Sequence, residues 1–316
     1  MNSEKLDNPL LLKVDKATPK LSIGMPVYNG ERLICRALDS LLAQTFADFE
    51  LIISDNASTD ATGAVCREYA KRDARIRYHR QQINRGTFDN FNFVLEQANA
   101  NFFMWAAHDD AWDKCFIEKI MRTFELLDCS VVAIASEAQY TINTEKQIFF
   151  PEGEAFYNTG YFSAFDRIKN ILNNNYGNLF YSIYRTACLY VDGKTLLSPL
   201  NQISLNEIPF FILIAEKGNW LVIPEILFFK ETNKDTYKRA KWEMVGRKLP
   251  CISFKNYFST LIYSFFYHIK AMYDINRSID ILDMLSNKRF KLKLIATGNL
   301  MKHYLSNVIL RKVIGW

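Results

Sequence analysis

The sequence predicts an α/β fold in which a mostly parallel sheet is flanked by helices and followed by a helical C-terminal extension. Short apolar strands alternate with amphipathic helices from residue 21 to residue 137. Polar clusters follow three of these strands directly. Such alternation is typical of right-handed strand–helix–strand units that share one sheet covered on both faces.

Length and composition limit the class of protein. The chain has 316 residues, of which 49% are hydrophobic and 23% charged, so it is long enough for one large α/β domain with an appendage and is not disordered. No apolar run is long enough to span a bilayer, and we expect no secretory signal at the N-terminus. The six cysteines are widely spaced, which favours reduced thiols in a cytoplasmic protein over a zinc site or a disulfide framework.

The elements of the predicted domain, residues 21–232, follow a loose tail of residues 1–20. Strands are expected at 21–29, 75–80, 101–110 and 130–137, and at 49–58, where a buried strand runs into a polar loop. Helices are expected at 31–44, 59–73, 88–99 and 113–128, where apolar residues recur at helical spacing. Thr59 or Asp60 is expected to cap the second helix. An aromatic segment at 176–185 is expected to form a further strand.

Three polar clusters come at the ends of different predicted strands: Pro26–Gly30, Asp55–Asp60 and His108–Asp110. Ligands of open α/β sheets bind beyond the C-terminal ends of the strands. The sequence therefore predicts that these clusters converge on one binding site.

The His108–Asp110 cluster offers two adjacent carboxylates. Mg²⁺ or Mn²⁺ commonly takes one or two protein carboxylates and completes its shell with phosphate oxygens and water. The alternative is that Asp110 or Asp113 merely caps the following helix. The position of the pair after a buried strand favours the metal.

The Asp55–Asp60 cluster is small, polar and rich in hydrogen-bond acceptors, as a loop that reads a base edge or a ribose would be. An ordinary turn with a helix cap has the same composition. Asp55 and Asn56 stand at the strand end and are the better ligand candidates.

Motifs of several other enzyme classes are missing. No Gly-x-Gly-x-x-Gly follows the first strand, and neither a P-loop nor a Gly-x-Ser-x-Gly elbow occurs in the sequence. These absences disfavour a dinucleotide-binding dehydrogenase, a P-loop kinase and an α/β-hydrolase. The four histidines show no metal-ligand spacing, and His108 alone is near the predicted site.

The order of these motifs resembles the family 2 glycosyltransferases of bacterial surface-polysaccharide synthesis. The matching segments are Pro26-Val27-Tyr28-Asn29, Ser40-Leu41-Leu42-Ala43-Gln44-Thr45 and Asp55-Asn56-Ala57-Ser58-Thr59-Asp60. Asn84-Arg85-Gly86, Asn92 and His108-Asp109-Asp110 follow at family-like spacing. The resemblance covers roughly residues 20–230 and implies the GT-A fold, with its Rossmann-like sheet.

The resemblance also implies a nucleotide-diphosphate sugar donor, with a UDP-sugar favoured, and a divalent cation. By analogy, the donor would be held by Pro26, Tyr28, Asn29, Asp55, Asn56, Asn90, His108 and Asp109. The cation, Mn²⁺ or Mg²⁺, would be bound by Asp109 with Asp110 beside it. Ala107 stands where the family often has a first Asp, and Phe91 where it often has Arg; Asn90 could compensate for the latter.

A second family signature implies the catalytic base. The family has Glu-Asp at the head of a helix that ends Ala-Glu-Lys-Gly, before a strand and Ile-Pro-Glu. Here Ala215-Glu216-Lys217-Gly218 and Ile223-Pro224-Glu225 stand, and counting back places Glu207 at the catalytic Asp. A Glu can deprotonate an acceptor hydroxyl from one methylene further out. The alternative is an N-terminal helix carboxylate favoured by the helix dipole.

The resemblance therefore implies a metal-dependent, inverting glycosyltransferase that acts on a glycan or lipid-linked acceptor in polysaccharide biosynthesis. Two alternatives stay open. A sugar-nucleotide-binding protein without activity is favoured by Ala107 and Glu207. A sugar nucleotidyltransferase is disfavoured because no Gly-rich basic loop follows the first strand.

The C-terminal region, residues 233–316, is expected to be helical, basic and aromatic. From Lys230 to the C-terminus the sequence has 17 Lys and Arg against six Asp and Glu. This pattern suits peripheral contact with the inner face of an anionic membrane, and equally packing on the domain or in an oligomer. No nucleic-acid-binding module is present, so nucleic acid is not expected as a partner.

Overall fold

The computed structural model of the chain describes residues 18–142, 145–149, 163–173, 177–197 and 208–232. The predicted N-terminal tail lies outside the described residues up to position 17. The predicted basic C-terminal region, 233–316, lies outside them entirely.

The first half of the chain alternates strands and helices as the sequence predicts. Its strands are β1 (Leu21–Val27), β2 (Phe49–Asp55), β3 (Ile76–Arg80) and β4 (Phe102–Trp105). Its helices are α1 (Ile34–Leu42), α2 (Thr62–Arg72) and α3 (Thr87–Glu96). Each of these elements is shorter than its sequence pattern.

The second half adds shorter elements. It contains β5 (Asp110–Trp112), α4 (Phe116–Glu125), β6 (Val131–Ile142), β7 (Glu145–Phe149), α5 (Ala164–Asn173), β8 (Ile183–Arg185), β9 (Tyr190–Val191), β10 (Lys194–Thr195), α6 (Ile208–Lys217) and β11 (Asn219–Thr232). Two 3₁₀ turns, Gly177–Tyr181 and Thr186–Leu189, flank β8. The expected strand at 176–185 is therefore wrong over its first part, which is a 3₁₀ turn.

The main sheet has the strand order β3-β2-β1-β4-β8-β6-β11-β5, and β7 pairs with β6 beside this path. The four strands of the first half are parallel to one another, as predicted. In the second half only β6 and β11 are parallel, and β5, β7 and β8 run antiparallel to their neighbours. The α/β class is confirmed, and the sheet is mixed rather than mostly parallel.

The predicted strand at 101–110 is wrong at its C-terminal end. Strand β4 leaves the sheet after Trp105, and the Ala106 N–H makes a last bond to the carbonyl of Gly24 at 2.9 Å. The Asp110 N–H donates to the carbonyl of Ala107 and closes a turn, and Asp110 then begins β5, the edge strand beside β11. Asp109 therefore lies in the connection between β4 and β5, and Asp110 is the first residue of β5.

Two buried hydrophobic clusters cover the two faces of the sheet. One contains side chains of α1 and α4 with Leu21, Ile23, Met25 and Val27 of β1. The other contains α3 and α6 with the aromatic group of Phe103, Trp105, Phe180, Tyr184 and Phe210. Ile52 belongs to the second cluster and its neighbours Leu51 and Ile53 to the first, as the alternation of a strand between two covered faces requires.

No helix within the described ranges is long and apolar enough to cross a membrane.

Candidate functional site

The C-terminal ends of the parallel strands meet at one edge of the sheet. Val27 is the register partner of Asp55, and Asp55 is the partner of Arg80. Gly24 of β1 pairs with Trp105, the last residue of β4. The loops after these strands therefore share one edge, as the sequence predicts for its three polar clusters.

The loops after β1 and β2 are joined by reciprocal hydrogen bonds. The Asn29 N–H donates to Ser58 Oγ at 2.9 Å, and Asn29 Oδ1 accepts from the Thr59 N–H at 2.8 Å. The Gly30 N–H donates to Thr62 Oγ1 at 2.8 Å. Asn29 is thus placed in the site, but its side chain holds the two loops together.

The N-cap of α2 is Ala61, so neither Thr59 nor Asp60 stands at the cap position that the sequence predicts, although the Asp60 carboxylate bonds to the first helical residue. Helix α2 begins at Thr62, and Asp60 Oδ1 accepts from its N–H at 3.0 Å. Thr59 lies too far upstream, and its N–H bonds to Asn29 instead.

Asp55 is fully buried at the end of β2. Its carboxylate accepts from the Ser58 N–H at 2.8 Å, the Tyr78 hydroxyl at 2.8 Å and the Arg80 guanidinium at 2.6 Å. Burial alone would raise the pKa of Asp55, but these hydrogen bonds and the charge of Arg80 outweigh it and hold the pKa below its usual range. Asp55 therefore acts as an ionised anchor under the binding edge.

Asn56 organises the loop that follows β3. Its Nδ2 donates to Asn84 Oδ1 at 2.9 Å and to the carbonyl of Gly86 at 3.1 Å, while its Oδ1 accepts from the Arg85 N–H at 2.9 Å. The segment Asn84-Arg85-Gly86 therefore takes its shape from Asn56. Both donor hydrogens of the amide are committed to this loop, which leaves Oδ1 as the group with a further lone pair.

Asn90 is buried beneath the same edge. Its Oδ1 accepts from Ser54 Oγ at 2.6 Å, and its Nδ2 donates to the Ser54 carbonyl at 3.0 Å. The amide ties α3 to β2, so its part in the site is to fix the helix behind the Asn84–Gly86 loop.

Pro26 and Tyr28 lie on either side of the end of β1. Pro26 is the register partner of Ser54 inside the sheet and is buried. Tyr28 is 44% exposed and is the large apolar side chain that β1 presents at the binding edge. An exposed phenol beside polar loops can stack on a planar ring and donate one hydrogen bond.

His108 and Asp109 occupy the turn that follows β4, and both are half-buried. The imidazole of His108 lies beside Gly30, so this turn packs directly on the loop after β1. The three polar clusters predicted from sequence are therefore adjacent in the structure.

Asp110 is 1% exposed and forms an ion pair with Lys230, whose Nζ lies 3.1 Å from Asp110 Oδ2. Desolvation raises the pKa of Asp110 to about 6 despite the nearby ammonium. Asp113 Oδ1 accepts from the Cys115 N–H just before α4, but the N-cap of this helix is Cys115, so the capping alternative holds for neither Asp110 nor Asp113.

The chemistry of this donor set is compatible with a hard divalent cation. In the described part of the chain, no three His, Cys, Asp or Glu side chains are arranged so that they alone could hold a metal ion. Mg²⁺ and Mn²⁺ need one or two carboxylates when a diphosphate supplies the remaining oxygens. Asp110 Oδ1 is buried and has no hydrogen-bond partner among the described residues, and Asp109 precedes it at the edge.

Glu207, the predicted base, lies outside the described residues, and α6 begins at the next position. The end of the same signature is described: a Cβ added at Gly218 would lie 2.4 Å from the carbonyl oxygen of Ser130. A side chain does not fit there, which explains the glycine in Ala-Glu-Lys-Gly.

Sequence reasoning missed Lys230, Arg80 and Tyr78 as partners of site residues. Arg80 and Tyr78 follow from the parallel register of β2 and β3, which no local pattern gives. Lys230 is 120 residues from Asp110 in sequence and reaches it through the antiparallel β5–β11 pair.

Comparison with known proteins gives a family and a fold. The model of the family described as "Glycosyl transferase family 2" matches residues 22–182. The glycosyltransferase GlyA of Streptococcus pneumoniae is 28% identical over 144 residues, which are 45% of this chain and 20% of GlyA. A GalNAc(5)-diNAcBac-PP-undecaprenol beta-1,3-glucosyltransferase of Campylobacter jejuni is 38% identical over 93 residues, 29% of this chain and 30% of that protein. The chain matches only a fifth to a third of the length of these two relatives.

Solved structures share the fold. Residues 1–349 of TarS from S. aureus in complex with UDP-GlcNAc superpose with a TM-score of 0.62 at 16% identity, covering 90% of this chain and 73% of that one. The mannosyltransferase PcManGT of Pyrobaculum calidifontis in complex with GDP-Man and Mn²⁺ superposes with a TM-score of 0.53 at 14% identity, covering 93% of this chain and 88% of that one. The architecture is the GT-A fold expected from the sequence.

Proposed function

Because this chain belongs to glycosyl transferase family 2, we propose that it transfers a sugar from a nucleotide-diphosphate sugar to a hydroxyl group of a glycan or lipid-linked acceptor. The convergence of three loops at one edge of the sheet carries the proposal. These are the Tyr28–Gly30 loop, the Asp55–Asp60 loop and the His108–Asp109 turn, which the hydrogen bonds and packing described above bring side by side. TarS holds UDP-GlcNAc in the same fold, which supports a nucleotide-sugar donor and favours a UDP-sugar.

The donor roles are assigned from the exposure of Tyr28 and from the hydrogen bonding of Asn56. Tyr28 stacks on the base, and Asn56 Oδ1 accepts a hydrogen bond from the base edge. Asp55 does not contact the donor directly but stabilises the Asp55–Asp60 loop through its bond to Ser58. Asn29 likewise supports the site by joining that loop to the loop after β1. His108 closes the site on the side of the sugar and diphosphate.

Asp109 holds the divalent cation, Mn²⁺ or Mg²⁺, with Asp110 beside it. When bound, the cation would neutralise negative charge on the departing nucleoside diphosphate. The complex of PcManGT with GDP-Man and Mn²⁺ supports this assignment by fold alone.

Glu207 is the proposed general base. It takes the proton of the acceptor hydroxyl, the oxygen attacks the anomeric carbon from the face opposite the diphosphate, and the nucleoside diphosphate leaves with the bonding electrons. A single displacement of this kind inverts the anomeric configuration and needs no covalent enzyme intermediate. The place of Glu207 next to the first residue of α6 supports the role, because the family's base stands at the head of that helix.

The whole-protein role that agrees best with the relatives is polysaccharide biosynthesis. Several of them are bacterial glycosyltransferases, and the Campylobacter enzyme is named for an undecaprenol-linked acceptor. A basic, aromatic C-terminal region that touches an anionic membrane would bring the site close to such an acceptor.

A second candidate is a nucleotide-sugar-binding protein without turnover. The observation that favours it is Ala107, which places a methyl group in the turn where the family often carries another carboxylate. This candidate shares the donor site and lacks the transfer step.

The deciding experiment combines binding with turnover. Thermal unfolding is followed with UDP-, GDP-, CMP- and dTDP-sugars, each with and without Mn²⁺. A ligand at a hundredfold excess over its Kd stabilises the native state by about 2.7 kcal/mol. We expect a Mn²⁺-dependent rise in the unfolding temperature with the sugars of one nucleotide. If the unfolding temperature did not change with any donor, the proposal would be contradicted.

The Glu207→Gln variant then separates the two candidates. An enzyme loses about 10²–10⁴-fold in turnover while its donor-induced shift is unchanged. Glu225→Gln is the matched control, since Glu225 pairs with Lys119 at the surface, away from the site, and its loss leaves turnover as it was. If the wild-type protein binds a donor but transfers no sugar to any glycan or lipid-linked acceptor, the second candidate, a nucleotide-sugar-binding protein without turnover, is correct.

A further inference from the structure

A buried ion pair joins the strand after the His108–Asp109 turn to the last described strand of the sheet. Lys230 Nζ donates to Asp110 Oδ2 at 3.1 Å, and the two residues are register partners in the antiparallel β5–β11 ladder. The mechanism above uses Asp109 and Asp110 but gives the ammonium of Lys230 no part. An ion pair fixed by backbone pairing has little freedom to rearrange.

The surroundings of Lys230 hold its ammonium against Asp110. The Nζ atom lies 4.2 Å from the centre of the Tyr181 ring and 5.3 Å from that of Phe228. Attraction between a cation and an aromatic face strengthens when both are shielded from water. The Lys230 side chain is 19% exposed, so most of this shielding is present.

Lys230 is the hydrogen-bond partner of the Asp110 carboxylate in the described part of the chain. Asp110 Oδ1 has no hydrogen-bond partner in that part of the chain, so Lys230 supplies the hydrogen bond to this buried carboxylate and, with the charge of Arg36, compensates its negative charge. Removing one member of a buried pair leaves an uncompensated charge and is strongly destabilising locally. Without Lys230, Asp110 would leave its position.

The position of Asp109 is set from both sides. On one side, the Ala106 N–H bonds to Gly24 at the end of β4. On the other, Asp110 is fixed to Lys230 and its N–H closes the turn on Ala107. We propose that Lys230 is a positioning residue of the cation site: it fixes Asp110, and through Asp110 it holds the Asp109 carboxylate at the edge of the sheet. This inference rests on the proposed function, because it concerns the cation that would accompany the donor.

The direction in which cation affinity changes when Lys230 is replaced distinguishes a positioning role from a purely electrostatic one. Taking a positive charge away from a cation site should tighten cation binding if the charge acts only through its field. A positioning residue predicts the reverse, because the carboxylates lose their alignment. Residues that orient metal ligands typically change metal affinity by about 10–100-fold when they are replaced.

The experiment titrates the full-length protein with Mn²⁺ in the presence of UDP and follows free Mn²⁺ by electron paramagnetic resonance. We expect Lys230→Gln to raise the Kd of Mn²⁺ at least about tenfold and Lys230→Arg, which keeps the ion pair, to change it by less than about threefold. Lys119→Gln is the matched control, because it removes the lysine of the exposed Lys119–Glu225 pair and should leave the Kd unchanged. An unchanged or lower Kd in folded Lys230→Gln would overturn the proposal.

A double-mutant cycle with Asp110→Asn keeps the proposal testable if Lys230→Gln alone does not fold. If Lys230 acts through Asp110, the Asp110→Asn protein and the Asp110→Asn/Lys230→Gln protein have the same Kd for Mn²⁺. Different values would overturn the proposal. Failure of the proposed function looks different, because the wild-type protein itself would then bind neither UDP nor Mn²⁺ with UDP.

Discussion

The imidazole of His108 lies directly against Gly30, so that a Cβ atom added at Gly30 would come within 2.5 Å of His108 Cδ2. The same Cβ would lie 2.8 Å from Cγ2 of Val27, a buried and stiff side chain. The loop after β1 and the turn after β4 therefore meet with no room for a side chain between them. Glycine at position 30 is required by this close approach.

Gly30→Ala is expected to lower the free energy of unfolding by about 1–3 kcal/mol and to weaken donor binding, because His108 must move away from the loop. Urea unfolding and UDP-induced thermal shifts measure the two effects. His108→Ala/Gly30→Ala should regain part of the stability, since one of the two crowded contacts is then gone. A Gly30→Ala protein with wild-type stability and binding would contradict the described contact.

Asp55 predicts a pH dependence of stability. Its folded-state pKa is held below the usual value by Ser58, Tyr78 and Arg80, while in the unfolded chain it is about 3.9. The ionised carboxylate therefore stabilises the fold above that pH, and the contribution is lost as the pH falls through the folded-state pKa.

The Asp55→Asn variant isolates this contribution. At pH 7 we expect a loss of about 2 kcal/mol in the free energy of unfolding, from the hydrogen bonds of a charged acceptor. The difference between wild type and variant should shrink as the pH is lowered below about 4. Denaturant unfolding across pH measures it, with Asp48→Asn on the exposed surface as a control that should change stability by less than about 0.5 kcal/mol at pH 7. A difference that grows toward low pH would refute the assignment.

Ala57 has a left-handed backbone conformation, with φ of 59°. This conformation costs an L-residue roughly 1–2 kcal/mol. Glycine avoids this cost, but it loses more conformational entropy on folding, which offsets part of the gain. Ala57→Gly is therefore expected to stabilise the protein by about 0.5–1 kcal/mol, measured by thermal unfolding.

The comparison for Ala57 is Asn29, which has φ of 51°. Asn tolerates this conformation, and its Oδ1 also accepts from Thr59. Asn29→Gly should therefore destabilise while Ala57→Gly stabilises. If both changes had the same sign, the strain at Ala57 would not be the cause.

The sequence was sufficient for the order of the elements and for the convergence of the three clusters, because both follow from apolar periodicity and from the geometry of parallel strands. It was not sufficient for the second half of the sheet. Strands such as β5 and β8 have three residues each, too few for a periodic pattern, and their direction is set by distant partners.

The residue types of the site could be predicted from the sequence, but the structural role of each side chain could not. Asp55 and Asn90 have the composition of ligands, yet the structure uses them as buried anchors for Arg80 and Ser54. Burial decides between these roles, and burial depends on neighbouring strands that lie far away in sequence. The Asp110–Lys230 pair was missed for the same reason.

Asn56 gives the sharpest test of what holds the Asn84–Gly86 loop in its shape. Both hydrogens of its Nδ2 are donated to Asn84 and Gly86, so an aspartate at this position would set a carboxylate oxygen against two acceptors. Asn56→Asp changes one atom and leaves the shape of the side chain as it was. We expect a loss of about 1–3 kcal/mol in stability, since the residue is buried and its donors become repulsive.

The same variant should lose nucleotide affinity by more than its loss of stability explains. The Asn84–Gly86 loop is held by three hydrogen bonds to Asn56, and an aspartate can keep only the one from the Arg85 N–H. The Kd for UDP is measured by calorimetry at a temperature where wild type and variant are both folded. Asn101→Asp, an exposed change, should leave the Kd within about twofold. If Asn56→Asp bound UDP as wild type does, the loop would not depend on the amide, and the base site would have to be assigned to Tyr28 and the Asp55–Asp60 loop alone.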